Sequence, residues 1–410
     1  MHQSGSPRRI TASATHRTTN TGSSRYDATA HGPGSSTVGF FFEIEGALIP
    51  PREQREDFLV LALVFYAMRQ GCDLHIEGRV SRQLLINLEE FQRAWSMWVP
   101  QRYRPVRITA TEELDDPALS TERVAVAAFS GGVDATFALV QHVTEREARD
   151  RCRVAAAVLV HGFDVELEQA IAFAKAYENA REMTAALDVP LSVVRTDWKD
   201  LADGYWEHEH LAGLSACLAL FSGVANFALM GADQDYRSVG VPWGSNSITN
   251  HLLSSPRFRN LTTGASFSRT MKVNAIARFP AVASRLRVCW EGPQTGENCG
   301  KCEKCMRTKL NFIANGLEVP AGLGRAPTLI EILRVKARRK EQIRFLRDIY
   351  LHAQRSALPR STKRAIRIAV IKNRVLHRLP AANELLRVLK MPWKLARRTT
   401  FALATRVREA

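Results

Sequence analysis

Residues 124–136 set the fold of this chain, and they read Val124-Ala125-Val126-Ala127-Ala128-Phe129-Ser130-Gly131-Gly132-Val133-Asp134-Ala135-Thr136. The first six residues are small, β-branched or aromatic and carry no charge, which is typical of a short buried strand. The two glycines that follow allow a sharp turn. Asp134 is an acidic residue of the kind that favours the first turn of a helix. This stretch therefore predicts a strand, a glycine turn and a helix in direct succession.

The glycine turn has the composition of an anion site. Gly131 and Gly132 can bring backbone N–H groups close to a ligand, because neither carries a side chain. Ser130 and Thr136 add hydroxyl groups, and the helix adds the positive end of its dipole. These donors together suit phosphate or pyrophosphate. For the Gly-Gly pair alone, a tight strand-to-helix turn that binds nothing is the alternative.

These residues resemble the pyrophosphate loop of the PP-loop ATP pyrophosphatase family, whose members cleave ATP between its α and β phosphates. The family motif is Ser-Gly-Gly-x-Asp-Ser followed by Ser or Thr, and Ala135 stands in place of its second serine. The positions that match are Ser130, Gly131, Gly132, Asp134 and Thr136. The resemblance implies that ATP binds along the whole of residues 130–136, Val133 and Ala135 included. Mg²⁺ would accompany the nucleotide, and we expect Asp134 to orient it.

Strands alternate with helices beyond the glycine turn. Buried strands are predicted at 154–160, 191–195 and 225–230, with helices at 165–187 and 211–221. This alternation predicts an α/β fold with a doubly wound parallel sheet, which is also the adenine nucleotide alpha-hydrolase fold that the resemblance implies. Ligands of such sheets bind at the carboxyl ends of the strands. The polar and glycine residues expected to gather there are His161, Gly162, Asp164, Asp197, Gly231 and Asp233, of which His161, Gly162 and Gly231 are the nucleotide-binding candidates.

Residues 231–270 show little periodicity and include the turn-rich segment Val241-Pro242-Trp243-Gly244. A long irregular stretch beside a ligand-binding edge is typical of a substrate loop, and an ordinary surface connection is the alternative. A helix is predicted to open at Arg269. In PP-loop ligases a lysine near this place helps to neutralise phosphate charge, so the resemblance implies Lys272, with Arg269 second, as catalytic. For either residue alone, a solvated pair at a helix start is a competing interpretation.

Four of the seven cysteines are clustered in a C-x9-C-x2-C-x2-C pattern, at Cys289, Cys299, Cys302 and Cys305. Four thiolates on a short glycine-containing loop can close a tetrahedron around Zn²⁺, and an iron–sulfur cluster is the competing interpretation. Four thiolates leave no open position, which favours a structural site. The other three cysteines lie in apolar surroundings and are predicted to be buried free thiols. This usage favours a reducing compartment such as the cytoplasm.

The cysteine pattern narrows the resemblance. A PP-loop domain followed by Cys, then Cys-Gly-x-Cys-x-x-Cys and an arginine, here Arg307, resembles the cyano-deazaguanine synthase family of queuosine biosynthesis over about residues 122–316. That family converts a deazaguanine carboxylate to a nitrile with ammonia and ATP. Its Gly-Tyr-Pro-Asp-Cys substrate segment is replaced here by residues 241–244. The resemblance therefore implies a sibling family with a different substrate.

The resemblance implies an ATP-dependent carbon–nitrogen ligase. A carboxylate or amide oxygen of a small-molecule substrate would attack the α phosphorus, pyrophosphate would leave, and ammonia or an amine would capture the adenylate. A nucleotide-binding module with little turnover is the alternative, and Ala135 favours it because one hydroxyl contact is missing. Sulfur transfer to tRNA is a third hypothesis, which needs a reactive cysteine, whereas Cys217 lies in an apolar helix.

Most of the remaining chain carries no catalytic motif. Residues 1–37 are rich in Ser and Thr and are predicted to be a disordered leader, with an organellar transit peptide as the alternative. Residues 38–118 are predicted to be a small accessory α/β domain with a role in a homodimer. The nucleotide-binding domain then spans 119–288, and the cysteine segment with its following helix spans 289–324. The uncharged stretch 211–232 is predicted to be a buried helix, a turn and a strand, not a membrane span.

Residues 325–410 are predicted to be a basic helical tail. They hold 23 Lys and Arg against five acidic residues, whereas the whole chain of 410 residues has a net charge of +16. Helices are predicted at 328–353 and 360–378, with Leu, Ile and Val on one stripe, and residues 391–407 add Trp393 among basic residues. Three interpretations stay open: solvated basic helices packed on the body, an anionic membrane surface, and nucleic acid.

Overall fold

The computed structural model describes residues 8–52, 54–115, 122–144, 148–289 and 295–378. Ten strands in this part of the chain form one continuous sheet. They are β1 (Arg9–Thr18), β2 (Ser24–His31), β3 (Thr37–Gly46), β4 (Asp73–Ser81), β5 (Ile108–Leu114), β6 (Val124–Ala128), β7 (Arg153–His161), β8 (Leu191–Thr196), β9 (Phe227–Gly231) and β10 (Arg259–Thr263). Their order across the sheet is β10-β9-β6-β7-β8-β3-β2-β1-β4-β5.

Twelve α-helices of the described residues connect or cover these strands. They are α1 (Asp57–Gln70), α2 (Arg82–Trp98), α3 (Val133–Thr144), α4 (Ala170–Ala185), α5 (Trp198–Leu201), α6 (Trp206–Ala219), α7 (Arg269–Ile276), α8 (Pro280–Ala283), α9 (Glu303–Ala314), α10 (Leu329–Arg334), α11 (Lys340–Arg355) and α12 (Arg360–Arg378). The helix predicted at 165–187 begins later, at Ala170, and the helix predicted to open at Arg269 is confirmed. Local signals set several ends: Gly71 closes α1 in the left-handed region, and the Ser268 hydroxyl caps α7 by accepting from Met271 N–H.

The strands from β6 to β10 form the parallel half of the sheet. Within this half, β6 is the first strand. The chain adds β7 and β8 on one side of β6 and then returns to place β9 and β10 on its other side. The crossover therefore changes direction between β6 and β9, which is the place where open α/β sheets bind ligands. β10 lies within residues 231–270 and was not predicted. Its sequence, Arg-Asn-Leu-Thr-Thr, is polar because it pairs on one side only, with β9.

The sheet as a whole is mixed and mostly parallel. The parallel sheet predicted for the central part of the chain is found in β6 to β10, but it continues without a break into the N-terminal strands, where the predicted separate unit is absent from the described residues and three pairings are antiparallel. β1 pairs antiparallel with β2, β2 with β3, and β3 with β8. Short connections join the first three strands, and such connections permit antiparallel pairing only. β3 thereby joins the two halves edge to edge.

The predicted disordered leader is also wrong, because residues 9–31 form β1 and β2. Ile10 and Ala12 on β1, and Tyr26, Ala28 and Ala30 on β2, are buried at alternate positions. A Ser- and Thr-rich composition hid this alternation, since most of the inward-facing residues are alanines. Both strands are enclosed, β2 between β1 and β3 and β1 between β2 and β4, so their backbone groups have partners on either side. Residues 1–7 lie outside the described part.

The region predicted as a small accessory domain is part of the common sheet. Its helices α1 and α2 cover one face together with α6, and one apolar core runs through all three. A second core lies on the other face, beneath α3, α4, α7 and α9. The division of the chain into domains and the homodimer stay predictions.

The helical tail is confirmed as far as residue 378. The stretch predicted as one helix at 328–353 is interrupted between α10 and α11, while α12 matches the prediction at 360–378. α10, α11 and α12 bury their apolar side chains against α9 in a third core. Residues 391–407 lie outside the described part. None of the helices described is both long enough and apolar enough to cross a membrane.

A buried ion pair ties the N-terminal half to the parallel half. Arg69 of α1 donates to both carboxylate oxygens of Glu209 on α6 and to the Leu201 carbonyl, and the side chains of the pair are 9% and 2% exposed. The Tyr103 hydroxyl also donates to Glu209, at 3.0 Å. Removal of the arginine would leave a buried carboxylate without its counter-ion.

We expect Arg69→Met to lower the free energy of unfolding by about 3–5 kcal/mol, because a buried charge then loses its partner. Urea denaturation followed by circular dichroism measures the loss. The matched control is Arg93→Met, which removes exposed pairs with Glu89 and Glu90 and should cost less than about 1 kcal/mol. An equal loss in both variants would contradict a joining role for the Arg69 pair.

Candidate functional site

The glycine turn lies at the carboxyl end of the central strand β6. Gly131 has a φ of 73°, which favours glycine, and its carbonyl accepts a hydrogen bond of 2.9 Å from the Arg287 N–H. Gly131 is therefore buried beneath the segment that leads to the cysteines. Ser130 and Gly132 remain half-buried, and the Gly132 N–H donates to the Ser130 hydroxyl at 3.3 Å. The more accessible positions of the loop are thus Ser130, Gly132, Asp134 and Ala135, whereas Val133 and Thr136 are buried.

Gly231 packs against the first turn of α3. A Cβ at this position would lie 2.3 Å from the Asp134 carbonyl oxygen, which no side chain tolerates. The end of β9 can therefore approach α3 only because residue 231 is glycine. This contact closes the crevice between β6 and β9 at its base and brings the residues after β9 next to Asp134.

The three candidate catalytic residues meet at this crevice. Asp134 accepts from Arg269 Nη2 at 2.5 Å and from Lys272 Nζ at 2.9 Å, and Lys272 Nζ also donates to the Ala232 carbonyl. Lys272 is only 2% exposed. Burial would raise the pKa of Asp134, but the two cations outweigh it and hold that pKa well below its ordinary value. Asp134 is therefore an ionised anchor for two cations, which is a different geometry from the predicted magnesium ligand.

Asp233 provides a carboxylate oxygen that is still available. Its Oδ2 accepts from Trp243 Nε1 at 2.6 Å, while its buried Oδ1 has no hydrogen-bond partner among the described residues. Burial raises the pKa of Asp233, and the nearby negative charge of Asp134 adds to the rise. A bound cation would satisfy this oxygen. Trp243 belongs to the irregular segment 231–270, so this segment reaches the crevice.

A further set of cations comes from α9, and the tail adds an aromatic ring. The guanidinium of Arg307 lies 4.5 Å from the centre of the Phe345 ring, and that of Arg269 lies 4.6 Å from the same ring. Arg307 also pairs with Glu303 at 3.3 Å, and burial lowers its pKa to about 10. Burial, with the charges of Arg269 and Arg307, lowers the pKa of Lys304 as well. The crevice is thus surrounded by cations.

Lys304 and Phe345 were not predicted as site residues. Lys304 lies between the last two clustered cysteines, and the spacing of those cysteines indicates a metal site but no role for the lysine. Phe345 is one of several apolar residues of an amphipathic helix, and nothing in the sequence distinguishes it. Only the packing of α11 against α7 and α9 brings it to the arginines.

The four clustered cysteines form a site that can hold a metal ion such as zinc. Their sulfur atoms all lie within 4.8 Å of one another, and those of Cys289 and Cys302 are 3.7 Å apart. A tetrahedral zinc site with Zn–S bonds of about 2.3 Å has sulfurs about 3.8 Å apart, so the cluster fits. The N–H groups of Cys302 and Cys305 donate to the sulfurs of Cys299 and Cys302, which stabilises thiolates. All seven cysteines of the chain are free of disulfides.

Two nucleotide-binding candidates have local structural roles instead of contacts with this crevice. The His161 ring stacks on Phe173, with centroids 3.7 Å apart, and its Nε2 lies 3.1 Å from the Glu166 carbonyl oxygen. A Cβ on Gly162 would lie 1.8 Å from the Thr196 carbonyl oxygen, so glycine allows β7 and β8 to end side by side. Asp197, at the end of β8, accepts from the Phe41 N–H at 2.8 Å. These contacts explain the three residues without a ligand.

The chain matches no protein-family profile, no curated protein and no solved structure. The resemblance to PP-loop enzymes therefore depends on residues 130–136 and on the cysteine pattern, and the activity that it implies stays a prediction. The geometry of the crevice is an independent basis for a proposal.

We expect one zinc ion per chain in the purified protein, measured by elemental mass spectrometry. Cys302→Ala should lose most of the metal and lower the melting temperature, because metal binding and folding of this loop are coupled. Cys72→Ala is the matched control, since Cys72 is buried outside the cluster, and it should keep the full metal content. Several iron atoms per chain in place of zinc would contradict this prediction and favour a cluster.

Proposed function

We propose that the chain is an ATP-dependent ligase that adenylates a carboxylate or amide oxygen, releases pyrophosphate and forms a carbon–nitrogen bond. One observation carries the proposal: Lys272 and Arg269 are anchored on Asp134 beside the glycine turn, at the point where the sheet changes direction. Such a crevice combines backbone donors with fixed positive charge. Both are what a departing pyrophosphate requires.

The phosphates of ATP would bind at the start of α3. The N–H groups at the start of this 12-residue helix and the positive end of its dipole favour an anion there. Lys272 and Arg269 would then neutralise the charge that develops on the leaving pyrophosphate. Asp134 is a positioning residue in this proposal, because it holds both cations in place and ionised before the nucleotide arrives.

Mg²⁺ enters with the nucleotide and would supply further charge neutralisation on the phosphates. The free Oδ1 of Asp233 fits such an ion better than Asp134 does, because both oxygens of Asp134 already accept from cations. Magnesium commonly takes only one or two protein carboxylates together with phosphate oxygens and water. A single available carboxylate is therefore sufficient.

The chemistry would proceed in two displacements. An oxygen of the acceptor attacks the α phosphorus, and pyrophosphate leaves with the electron pair of the broken P–O bond. Ammonia or an amine then attacks the activated carbon, AMP leaves, and the nitrogen loses its proton. The segment with the four clustered cysteines contributes by position, because the helix that follows it carries Lys304 and Arg307 towards the crevice. The acceptor would bind on the side of Trp243, because this residue brings the predicted substrate loop to Asp233.

A nucleotide-binding module with little turnover is the second candidate. Ala135 favours it, because the family motif has a serine hydroxyl at that position. In this proposal the tail carries the protein to an anionic membrane or to nucleic acid. Ile368 and Ile371 on α12 are 52% and 50% exposed beside arginines, a combination that suits a membrane surface.

The first test measures pyrophosphate release from ATP with a panel of carboxylic acids and ammonia. We expect Lys272→Met to lower the rate by about 100-fold or more, because the removed charge acts on the leaving group. The matched control is Lys175→Met, which removes an exposed pair with Glu297 and should change the rate less than about twofold. Equal rates in both variants and wild type would contradict the assignment of Lys272.

ATP–pyrophosphate exchange separates the two candidate functions. A ligase catalyses exchange in the presence of its acceptor, whereas a binding module holds ATP without exchange. Tight ATP binding with no exchange across the panel would favour the module. No ATP binding at all would overturn both.

A further inference from the structure

A cavity of about 470 Å³ lies outside the nucleotide crevice. Its walls come from the cysteine loop, from α9, and from the segment that joins α10 to α11. Gly300 and Lys301 line it from the cysteine loop, and Val335 and Gln342 line it from the tail. Nothing in the proposed reaction assigns it a role.

The cavity is strongly cationic. Six of its lining side chains carry positive charge and two carry negative charge. The cations are Lys301, Lys309, Arg325, Arg334, Lys336 and Arg338. Two of them are engaged, since Arg325 pairs with Glu331 at 2.6 Å and Lys309 Nζ donates to two backbone carbonyls. Within the described residues, Lys301, Arg334, Lys336 and Arg338 make no ion pair. Cys299 of the four-thiolate cluster also lines the cavity, and even with its charge the lining keeps an excess of positive charge.

The size and lining of the cavity indicate what would complete it. Its volume lies within the range of about 300–1,000 Å³ that is typical of small-molecule sites, and a bare phosphate ion would leave most of it empty. Four exposed cations without an ion pair favour a ligand that carries more than one negative charge. Met306 and Val335 are 7% and 5% exposed and add an apolar patch for an organic group. A ligand with several phosphate charges and an organic body meets these conditions.

Helix α9 separates this cavity from the nucleotide crevice and touches both. Glu303 lines the cavity and pairs with Arg307, which stacks on Phe345 beside Arg269. Gln342 of α11 donates to Glu303 at 3.4 Å and lines the cavity as well. A ligand in the cavity would therefore contact α9, which carries Arg307, and α11, which carries Phe345.

We propose that this cavity is a second binding site, which takes a phosphate-bearing organic anion of nucleotide size. This site is separate from the glycine turn, and the proposal does not depend on the reaction proposed for the nucleotide crevice. A free nucleotide and a nucleic-acid chain share the phosphate chemistry. The volume favours the free nucleotide.

The test measures how fast individual lysines are acetylated, by mass spectrometry, in the presence of ATP or of a short single-stranded RNA. At a concentration of about ten times its Kd for the cavity, ATP should slow acetylation of Lys301 and Lys336 by about tenfold. Lys363, which lies on α12 outside the cavity lining, should keep its rate. Lys272→Met should weaken binding at the glycine turn and leave the protection of Lys301 unchanged, which separates the two sites.

The variant Lys336→Gln/Arg338→Gln should lower the protection of Lys301 to less than about a fifth of its wild-type value, because two charge-assisted contacts are lost. The matched control is Arg367→Gln/Arg374→Gln, which removes the same charge from exposed positions on α12 and should keep full protection. Absence of protection by ATP, or equal protection in the two double variants, would overturn the proposal. Protection by the RNA alone would overturn the free nucleotide as the ligand.

Discussion

The carboxylate of Asp134 is the constraint on which the candidate site depends. It holds Lys272 and Arg269, and a lysine that is 2% exposed would be costly to keep charged without such a partner. Lys272 also reaches the carbonyl that follows β9, so one charge cluster ties together the start of α3, the end of β9 and α7. The glycine turn, the crevice and their electrostatic field are therefore parts of a single arrangement.

The surrounding structure fixes this arrangement from two sides. Gly231 lets β9 approach the first turn of α3, and the Arg287 N–H holds the Gly131 carbonyl from the opposite direction. Arg287 lies two residues before the first clustered cysteine. A metal ion bound by the four thiolates would thus stabilise the loop that covers the glycine turn, besides the helix that carries Arg307.

Local sequence signals were sufficient for four strands of the parallel half, β6 to β9, and insufficient for β10 and for the N-terminal strands β1 and β2. The strand, glycine turn and helix of residues 124–136 follow from hydrophobic pattern and turn chemistry, and the cysteine spacing predicts a cluster. β1 and β2 were missed because alanines, not large apolar residues, face their core. The position of His161 at a strand end predicts a contact with a ligand. Its actual contact, with the Phe173 ring, depends on how α4 packs, which the local sequence does not show. The contacts of Phe345 with two arginines depend on how the tail docks, which no local pattern encodes.

That aromatic contact has a consequence for how the protein is made. Residues 130–136 leave the ribosome early, whereas Phe345, which lies against both Arg269 and Arg307, follows more than two hundred residues later. Until residue 345 has been synthesised, the two guanidinium groups lack this ring contact and have only their carboxylate partners, Asp134 and Glu303. The crevice therefore reaches its final form only after α11 has been synthesised and has docked.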